Sequence, residues 1–364
     1  MRRSAVVTGA TGLLGSWVVC ALLRSGRYDR VYAIVRGASK KSAKSRVINI
    51  LNFIPHRLKP HILEKLRVAK GDVLLPNLGL SFGDLKLLRD KAVDIFHAAA
   101  VADFNMTLAQ IRPTNVMGTR NVFKMALALK QQQMDAPIRV HHISTIAIAG
   151  NTKGWFNENQ FNVGQKFNNT YEQSKYEAEK IAREYYRHNL VVKIYRPSII
   201  VGDSRCGVTT NFKMIYQPLH FMVHNLFKEL PANKACLHSF VPVDRVADAI
   251  SILSEYDFFG NNVYHLVNPD EISLGRFIET ASRVLKFKRP SLIPLKEFQR
   301  DRLSKAQWKL IDPFVPYFNY RLRFRKSITT NLLGSFGFHW PKINDSLLQK
   351  LYKFCIKSNF VPLG

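Results

Sequence analysis

The sequence predicts an α/β protein with a doubly wound parallel sheet, followed by a smaller and mostly helical region. First, a short apolar run from Ser4 to Val7 leads into a glycine-rich bend and then into a helical pattern from Leu13 to Leu23. Second, apolar strand-like runs alternate with amphipathic helical runs as far as about Ile200. Alternation of this kind is typical of parallel sheets whose crossover connections are helices. Third, the alternation stops after Gly202, which predicts that a different region begins there.

The length and composition are those of an ordinary globular protein. The chain has 364 residues, of which 46% are apolar and 22% are charged, enough for a sizeable buried core. The first strand-like run follows Met1 almost at once, and no apolar run reaches the roughly 18 to 20 residues that cross a bilayer. The four cysteines are far apart and form no C-x-x-C pair. We therefore expect a cytoplasmic protein with reduced thiols and no metal site.

The formal net charge of +28 is the unusual bulk property. A charge of this size attracts acidic molecules such as nucleic acid, anionic lipid, an acidic protein or a polyanionic cofactor. A basic composition without any specific partner is the alternative. The basic residues are spread along the chain, and no helix-turn-helix, zinc-finger or RNA-recognition motif is present. Nucleic-acid binding is therefore not predicted.

The bend after the first strand contains glycines at every third position, from Gly9 to Gly15. Glycines there let the backbone approach a pyrophosphate, whose charge is met by free N–H groups and by the N-terminus of the following helix. The spacing is G-x-x-G-x-x-G instead of G-x-G-x-x-G, and an ordinary turn is the alternative. As a nucleotide site, the bend supplies these predicted cofactor contacts: Gly9, Thr11, Gly12, Leu13, Leu14 and Gly15.

The second strand-like run, Val31 to Val35, ends at Arg36. An acid in this position bonds the ribose hydroxyls in NAD-binding proteins, whereas a basic residue accommodates the 2′-phosphate of NADP. Further lysines and Arg46 follow closely. A solvated basic face is the alternative, but a phosphate better explains basic residues directly after the second strand. We therefore predict NADPH as the cofactor, with Arg36 and Arg46 at its phosphate.

Later strand-like runs end in residues that suit a nucleotide site. Asp72, followed by Val73, ends one run, where it is expected either to bond the adenine amino group or to form a simple turn. Another run continues into Ala98 and Ala99, whose small side chains let the backbone pass close under a cofactor. His97, just before them, is predicted to pack or bond locally and is left out of the catalytic set.

Tyr171 and Lys175 stand four residues apart in a helical stretch. That spacing places both side chains on one helix face, one turn apart. A strand-like run upstream ends in two hydroxyls, Ser144 and Thr145. Because Y-x-x-x-K is a common spacing, its meaning depends on the other residues of the pattern.

Taken in order, the motifs resemble the extended short-chain dehydrogenase/reductase superfamily over about residues 4 to 270. The pattern consists of the glycine bend after Thr8, Asp72, Ala98-Ala99, Ser144-Thr145, Tyr171-x-x-x-Lys175 and Arg196-Pro197-Ser198. The resemblance implies that Thr145, Tyr171 and Lys175 are catalytic. Thr145 and Tyr171 would bond the substrate carbonyl oxygen, and the charge of Lys175 would lower the pKa of the phenol. It also implies that Ser144, Pro197 and Ser198, together with Tyr171 and Lys175, lie against the cofactor.

A narrower resemblance is to thioester reductases, which are relatives of the fatty acyl-CoA reductases. It rests on Val35-Arg36 with Arg46, on His142 to Thr145, and on Ile200 to Gly207, where Cys206 replaces the usual threonine. The resemblance implies NADPH-dependent reduction of an acyl thioester, linked to an acyl carrier protein or to coenzyme A. The product is the aldehyde or the alcohol. No adenylation or carrier domain accompanies the pattern in this chain.

Two other functions are alternatives, and the first of them shares the glycines, Thr145, Tyr171 and Lys175 with the thioester reductases. One is the reduction or dehydrogenation of a free carbonyl, of the 3β-hydroxysteroid or dihydroflavonol type, or the epimerisation of a sugar nucleotide. The other is cofactor binding without turnover, by a sensor or a scaffold. Arg36 and the stretch from Gly202 to Gly207 favour the thioester reductase, and the Tyr171–Lys175 pair argues against a sensor.

The pattern also predicts a division of the chain. A Rossmann-type cofactor-binding domain is expected over residues 1–202, and residues 240–270 return to it. Residues 203–239 and 271–364 form the predicted substrate-binding region. Four aromatic residues of this region suit either an acyl chain or a core: Phe212, Tyr216, Phe221 and Phe227.

The last part of the chain is basic. The stretch from Lys286 to Lys326 contains twelve Lys or Arg residues against three acids. Such a surface can dock an acidic acyl carrier protein or hold the phosphates of coenzyme A. Farther on, one face of a short helix carries Leu347, Leu348, Leu351, Tyr352 and Phe354. Core packing is ranked first for this face, carrier docking second and peripheral membrane contact third.

Overall fold

The computed structural model describes residues 3–55, 58–88, 92–132, 137–188, 190–255, 263–325 and 327–362. The strands are β1 (Arg3–Thr8), β2 (Arg30–Val35), β3 (Leu66–Lys70), β4 (Ala92–His97), β5 (Ile138–Ile143), β6 (Gly154–Phe156), β7 (Val191–Pro197), β8 (Ile199–Val201), β9 (Glu229–Pro231), β10 (Leu237–His238), β11 (Phe240–Pro242), β12 (Val263–Leu266), β13 (Ile272–Ser273), β14 (Ser291–Ile293) and β15 (Leu322–Phe324). The helices are α1 (Leu13–Arg24), α2 (Lys40–Phe53), α3 (Pro60–Leu63), α4 (Phe82–Lys86), α5 (Leu108–Arg112), α6 (Gly118–Gln132), α7 (Thr170–Glu184), α8 (Tyr216–Val223), α9 (Val243–Leu253), α10 (Leu274–Leu285), α11 (Lys305–Ile311), α12 (Val315–Phe318), α13 (Ser327–Ser335) and α14 (Asp345–Lys357).

Seven of these strands form one sheet, in the order β12-β7-β5-β4-β1-β2-β3. Each neighbouring pair in it runs parallel. The sheet grows in both directions from β1, which has β2 on one side and β4 on the other. This order confirms the predicted doubly wound fold. In such sheets ligands bind outside the carboxyl ends of the strands, where the strand order reverses.

The central strands are apolar because helices cover both faces of the sheet. Along β1, Ala5 and Val7 join the core under α1 and α9, while Val6 joins the core under α6 and α7. Side chains on the covering helices, such as Trp17 on α1 and Phe123 on α6, are buried against these strands. Burial on both faces leaves the strand ends as the place for polar chemistry.

A further core lies in the C-terminal region, where α8, α10 and α14 pack together. The apolar face of α14 is buried in this core, including Leu348, Leu351 and Tyr352. Core packing was the interpretation ranked first for this face, and it is confirmed. The division of the chain into a cofactor-binding domain and a substrate-binding region stays a prediction.

The described ranges lack two kinds of feature. None of the helices there has the length and apolar character that crossing a bilayer requires. Within the same residues, no group of three or more His, Cys, Asp or Glu side chains is arranged to hold a metal ion.

Candidate active site

The glycine bend lies where the strand order reverses. Gly9 follows β1 with a φ of +69°, in the left-handed region that favours glycine. A Cβ atom on Gly9 would lie 2.6 Å from the backbone nitrogen of Ala99, which follows the neighbouring strand β4. A side chain at this position would therefore push the ends of the two strands apart.

Helix α1 presents free backbone N–H groups beside this bend. Its N-cap, Gly12, has no side chain to cap them, and its first turn contains no acidic residue. The N–H groups of the first turn, from Leu13 to Gly15, have no acceptor within the helix. Such groups carry partial positive charge and suit a pyrophosphate. The bend therefore fits a dinucleotide cofactor.

Gly15 offers a direct test of the bend, because a methyl group there would overlap the carbonyl oxygen of Gly9. We expect Gly15→Ala to shift the bend, to weaken binding of the reduced dinucleotide at least about tenfold and to lower the free energy of unfolding by roughly 1–3 kcal/mol. Gly334→Ala is the matched control, since a Cβ there meets no atom within 4 Å. Fluorescence titration and denaturant unfolding measure the two effects. Undiminished dinucleotide affinity in Gly15→Ala would mean that the nucleotide binds elsewhere.

A cavity of about 470 Å³ opens beside the bend. Its walls come from the start of α1, from the residues after β4, β5 and β7, and from the C-terminal region. Eleven of the predicted site residues line it: Gly12, Leu13, Leu14, Gly15, Ala98, Ser144, Thr145, Tyr171, Lys175, Pro197 and Ser198. Residues spread over most of the first 200 positions thus meet in one cavity.

The other predicted cofactor residues lie outside the cavity lining. Gly9 and Thr11 belong to the bend, and Ala99 to the neighbouring strand end. The Asp72 carboxylate accepts the backbone N–H two residues on, at 3.0 Å, and Val73 is buried. Asp72 therefore caps its own turn, and its proposed contact with adenine stays a prediction.

Arg36 lies exposed at the end of β2. The guanidinium of Arg46, on α2, donates to the carbonyl oxygen of Arg36 at 2.5 Å. The ammonium of Lys70, at the end of β3, donates to the carbonyl oxygen of Ala38 at 3.1 Å. Three cationic side chains from neighbouring elements thus surround the loop after β2.

The three predicted catalytic residues come from two elements. Thr145 follows β5, and Tyr171 and Lys175 lie in the first turns of α7, which is capped by the side chain of Asn169 at the Glu172 N–H. Tyr171 and Thr145 both line the cavity, and the Thr145 hydroxyl accepts the backbone N–H of Ala147 at 3.2 Å. The Lys175 ammonium donates to the carbonyl oxygen of Ile143, the last residue of β5, at 2.7 Å. Strand end and helix are thereby held together around the Tyr171 hydroxyl.

Burial dominates the acid–base properties of the pair. It raises the pKa of Tyr171 to about 12, although the polar side chain of Thr145 acts in the opposite direction. Burial also lowers the pKa of Lys175 to about 8, with Glu179 acting to raise it. The predicted lowering of the phenol pKa by Lys175 is wrong, because burial raises this pKa and Lys175 is not among the groups that shift it. Tyr171 therefore holds its proton at neutral pH and is available as a hydrogen-bond and proton donor.

Glu179 is a site residue that the sequence interpretation missed. It is fully buried, and it accepts the hydroxyl of Ser144 at 2.6 Å and the guanidinium of Arg196 at 2.6 Å. Arg196 is also fully buried and directly precedes Pro197 of the cavity wall. The signal was present, because Tyr171, Lys175 and Glu179 follow one another at intervals of four residues on one helix face.

The side-chain hydroxyls of the two predicted serines are engaged with protein groups. Ser144 donates to Glu179, and Ser198 donates to the carbonyl oxygen of Ser239 at 2.8 Å. Both residues line the cavity. Their hydroxyls link the strand ends to α7 and to the segment after β10, so each fixes part of the cavity wall.

Aromatic residues from distant parts of the chain line the rest of the cavity: Phe104, Tyr317, Tyr320 and Phe324. The Tyr317 hydroxyl donates to Glu172 on α7 at 2.6 Å and accepts from Asn169 at 2.7 Å. These bonds tie the C-terminal region to the start of the helix that carries Tyr171.

Four other aromatic residues were expected to suit either an acyl chain or a core: Phe212, Tyr216, Phe221 and Phe227. None of them lines this cavity, so the acyl-chain interpretation of these residues is wrong. They pack in or against the core formed by α8, α10 and α14 instead. Core packing was the alternative given for these residues.

A family model described as "Male sterility protein", of an NAD-binding type, matches residues 7–250. The chain belongs to this family. The male sterility family lies within the extended short-chain dehydrogenase/reductases, so the predicted superfamily is confirmed. NAD(P) binding is accordingly a property of the family, whereas the choice between NAD and NADP is a separate question.

The relatives of this member of the male sterility family include a nonribosomal peptide synthetase and a fatty acyl-CoA reductase. The chain is 28% identical over 270 residues to the non-canonical nonribosomal peptide synthetase cpsA of Aspergillus campestris, covering 72% of this chain and 25% of that protein. It is 25% identical over 292 residues to the fatty acyl-CoA reductase wat of Drosophila melanogaster, covering 71% of this chain and 55% of that protein. The chain spans 34% or less of the length of the first three curated relatives it matches.

Among solved structures, the terminal R domain from the myxalamid PKS-NRPS biosynthetic pathway superposes with a TM-score of 0.80 at 25% identity. The match covers 100% of this chain and 92% of that domain. The predicted kinship with thioester reductases and fatty acyl-CoA reductases is confirmed.

Proposed function

We propose that this chain reduces an acyl thioester with NADPH, releasing the thiol and forming the aldehyde or, after a second reduction, the alcohol. The observation that carries the proposal is the meeting of Thr145, Tyr171 and Lys175 on one largely apolar cavity beside the glycine bend. Its apolar walls suit an acyl chain. The relationship to fatty acyl-CoA reductase wat and to the myxalamid R domain supports the choice of substrate class.

The chain's own residues act on the carbonyl oxygen. NADPH, when bound at the bend, supplies the hydride for the carbonyl carbon. The hydroxyls of Tyr171 and Thr145 would bond the oxygen on which negative charge develops, and Tyr171 would give it a proton. The tetrahedral product of a thioester then expels the thiol and leaves an aldehyde. The Lys175 ammonium, which lies one helical turn from Tyr171, would hold the hydroxyls of the nicotinamide ribose.

Lys175 leads to a pH prediction. Because burial lowers its pKa to about 8, we expect kcat/KM to fall as the pH rises through about 8, where the ammonium loses its charge. Lys175→Arg keeps the charge at every pH of the assay. We expect this variant to be less active but without the fall. A wild-type profile that stays level across this range would argue against a catalytic charge on Lys175.

The preference for NADPH is proposed from the cations after β2. We expect Arg36→Ala to weaken NADPH binding by about tenfold, because a charge-assisted contact to the 2′-phosphate is lost, and to leave NADH affinity unchanged. Arg187→Ala, an equally exposed arginine in another part of the chain, controls for net charge. Titration of both cofactors into each variant measures the effect. Equal weakening of NADPH and NADH by Arg36→Ala would refute the phosphate contact.

The function is tested with purified protein, NADPH and a panel of acyl-CoA and acyl-carrier thioesters. Loss of NADPH absorbance and appearance of free thiol are followed together. For the first reduction, we expect one free thiol to be released for each NADPH that is consumed. Turnover restricted to free aldehydes or ketones would instead support the free-carbonyl alternative, and turnover of neither would support a cofactor-binding role.

Carrier docking is a further part of the proposal. Between Lys286 and Arg325 the basic side chains are exposed, while Lys326 lies outside the described residues. Exposed cations of this density suit an acidic acyl carrier protein or the phosphates of coenzyme A. We also propose that the protein is located in the cytoplasm.

A further inference from the structure

His238 differs from the rest of the cavity wall. Its Nε2 atom is buried and has no hydrogen-bond partner within the described ranges. Of the residues with such an atom in those ranges, His238 alone lines the cavity. A buried imidazole nitrogen without a partner is unfavourable, because it has lost its bonds to water. Its position in a cavity wall indicates that a ligand supplies the missing partner.

The ring is held in place from several sides. His238 pairs with Ile272 between β10 and β13, and its ring stacks on Phe240 with centroids 6.0 Å apart and planes at 8°. The next residue, Ser239, accepts the hydroxyl of Ser198 at its carbonyl oxygen. His238 is thereby linked to the wall beside the catalytic residues. Burial lowers its pKa to about 4, so at neutral pH the ring is uncharged.

A smaller chamber lies behind His238. Its volume is about 50 Å³, and its lining includes Met222, Phe277 and Phe318. Four residues line both the cavity and this chamber: Ile199, Met214, His238 and Tyr317. An acyl chain that extends from Tyr171 past His238 would therefore end among apolar side chains.

We propose that the substrate's acyl group carries a hydrogen-bonding oxygen or nitrogen that His238 binds, and that the chain beyond this group ends in the apolar chamber. The inference rests on the proposed reduction of thioesters. It makes His238 a specificity-determining residue. An acyl chain without a polar group would leave Nε2 unpaired, and sites built to bond a polar group discriminate strongly against substrates that lack it.

The test compares octanoyl-CoA with a set of hydroxyoctanoyl-CoA isomers that differ in the position of the hydroxyl. For the wild type we expect kcat/KM for at least one isomer to exceed that for octanoyl-CoA by about tenfold or more. His238→Leu should remove this preference and improve the use of octanoyl-CoA. His238→Gln, which keeps a polar terminal group, should retain part of the preference.

The outcomes separate this inference from the proposed function. Equal use of the hydroxylated and plain substrates by the wild type would overturn the inference alone. If His238→Leu lowers kcat/KM equally for the hydroxylated and the plain substrates, the inference is also overturned, because such a result would indicate a merely structural residue. If His238→Leu does not fold, the inference is tested by the ratio of kcat/KM for hydroxyoctanoyl-CoA to that for octanoyl-CoA, measured in the wild type and in His238→Gln. Failure to reduce any thioester, with turnover of free carbonyls, would overturn the proposed function and this inference with it.

Discussion

Tyr171→Phe is expected to lower kcat/KM by about 10²- to 10⁴-fold, the usual contribution of a positioned proton donor. The variant removes only the Tyr171 hydroxyl from a residue that lines the cavity together with Thr145. The ring remains to pack against Phe104, whose centroid lies 6.0 Å away. Cofactor affinity and stability should therefore change little. Steady-state kinetics with a thioester substrate and NADPH titration by fluorescence measure the two quantities separately.

Tyr176→Phe is the matched control for this prediction. Tyr176 lies on the same helix, α7, but its ring stacks on Phe161 at 4.4 Å and it does not line the cavity. We expect it to keep full activity. Near-normal turnover by Tyr171→Phe would mean that another group donates the proton, and the assignment of the site would be wrong.

The parts of the site that could be predicted from sequence are those fixed by local chemistry. The bend was recognisable because close backbone approach and positive φ at Gly9 require glycine. Tyr171 and Lys175 were recognisable because helix geometry sets the spacing of neighbours on one face. The sheet followed from apolar runs, since strands covered on both faces need apolar residues throughout.

The substrate end of the cavity depends on tertiary contacts that no local pattern encodes. Tyr317 reaches the cavity through its bond to Glu172, which is 145 residues away in the sequence. The aromatic residues around Phe212 had the same apolar character but pack into a core. A lone histidine such as His238 carries no sequence signal, because the feature that distinguishes it, a buried nitrogen without a partner in the described ranges, depends on the folded structure. Glu179 shares the helix face of Tyr171 and Lys175, but its burial is a tertiary property, since a glutamate on a helix is usually exposed.

The buried pair of Glu179 and Arg196 gives the largest expected effect on stability. Both side chains are inaccessible, and two bonds join them, at 2.6 Å and 3.1 Å. Arg196→Met would leave the carboxylate without its main partner, because Arg183, the other arginine at Glu179, is partly exposed. We expect a loss of about 3–5 kcal/mol in the free energy of unfolding, as measured by denaturant titration. Activity should fall with it, since the pair fixes Ser144 and the helix that carries Lys175.

Arg183→Met is the matched control, because Arg183 binds the same carboxylate at 3.0 Å with a side chain that is 22% exposed. This variant should lose no more than about 1 kcal/mol in the free energy of unfolding.

The pair also makes stability depend on pH. Burial alone would raise the pKa of Glu179, but Arg196, Arg183 and Ser144 outweigh burial and lower this pKa below the ordinary 4.5. The pair's contribution is therefore complete above pH 4.5 and is lost as the pH falls further. The double variant Glu179→Met/Arg196→Met should recover part of the stability and lose less of it in acid than the wild type. An Arg196→Met variant as stable as Arg183→Met would mean that the carboxylate is protonated or hydrated in the folded protein.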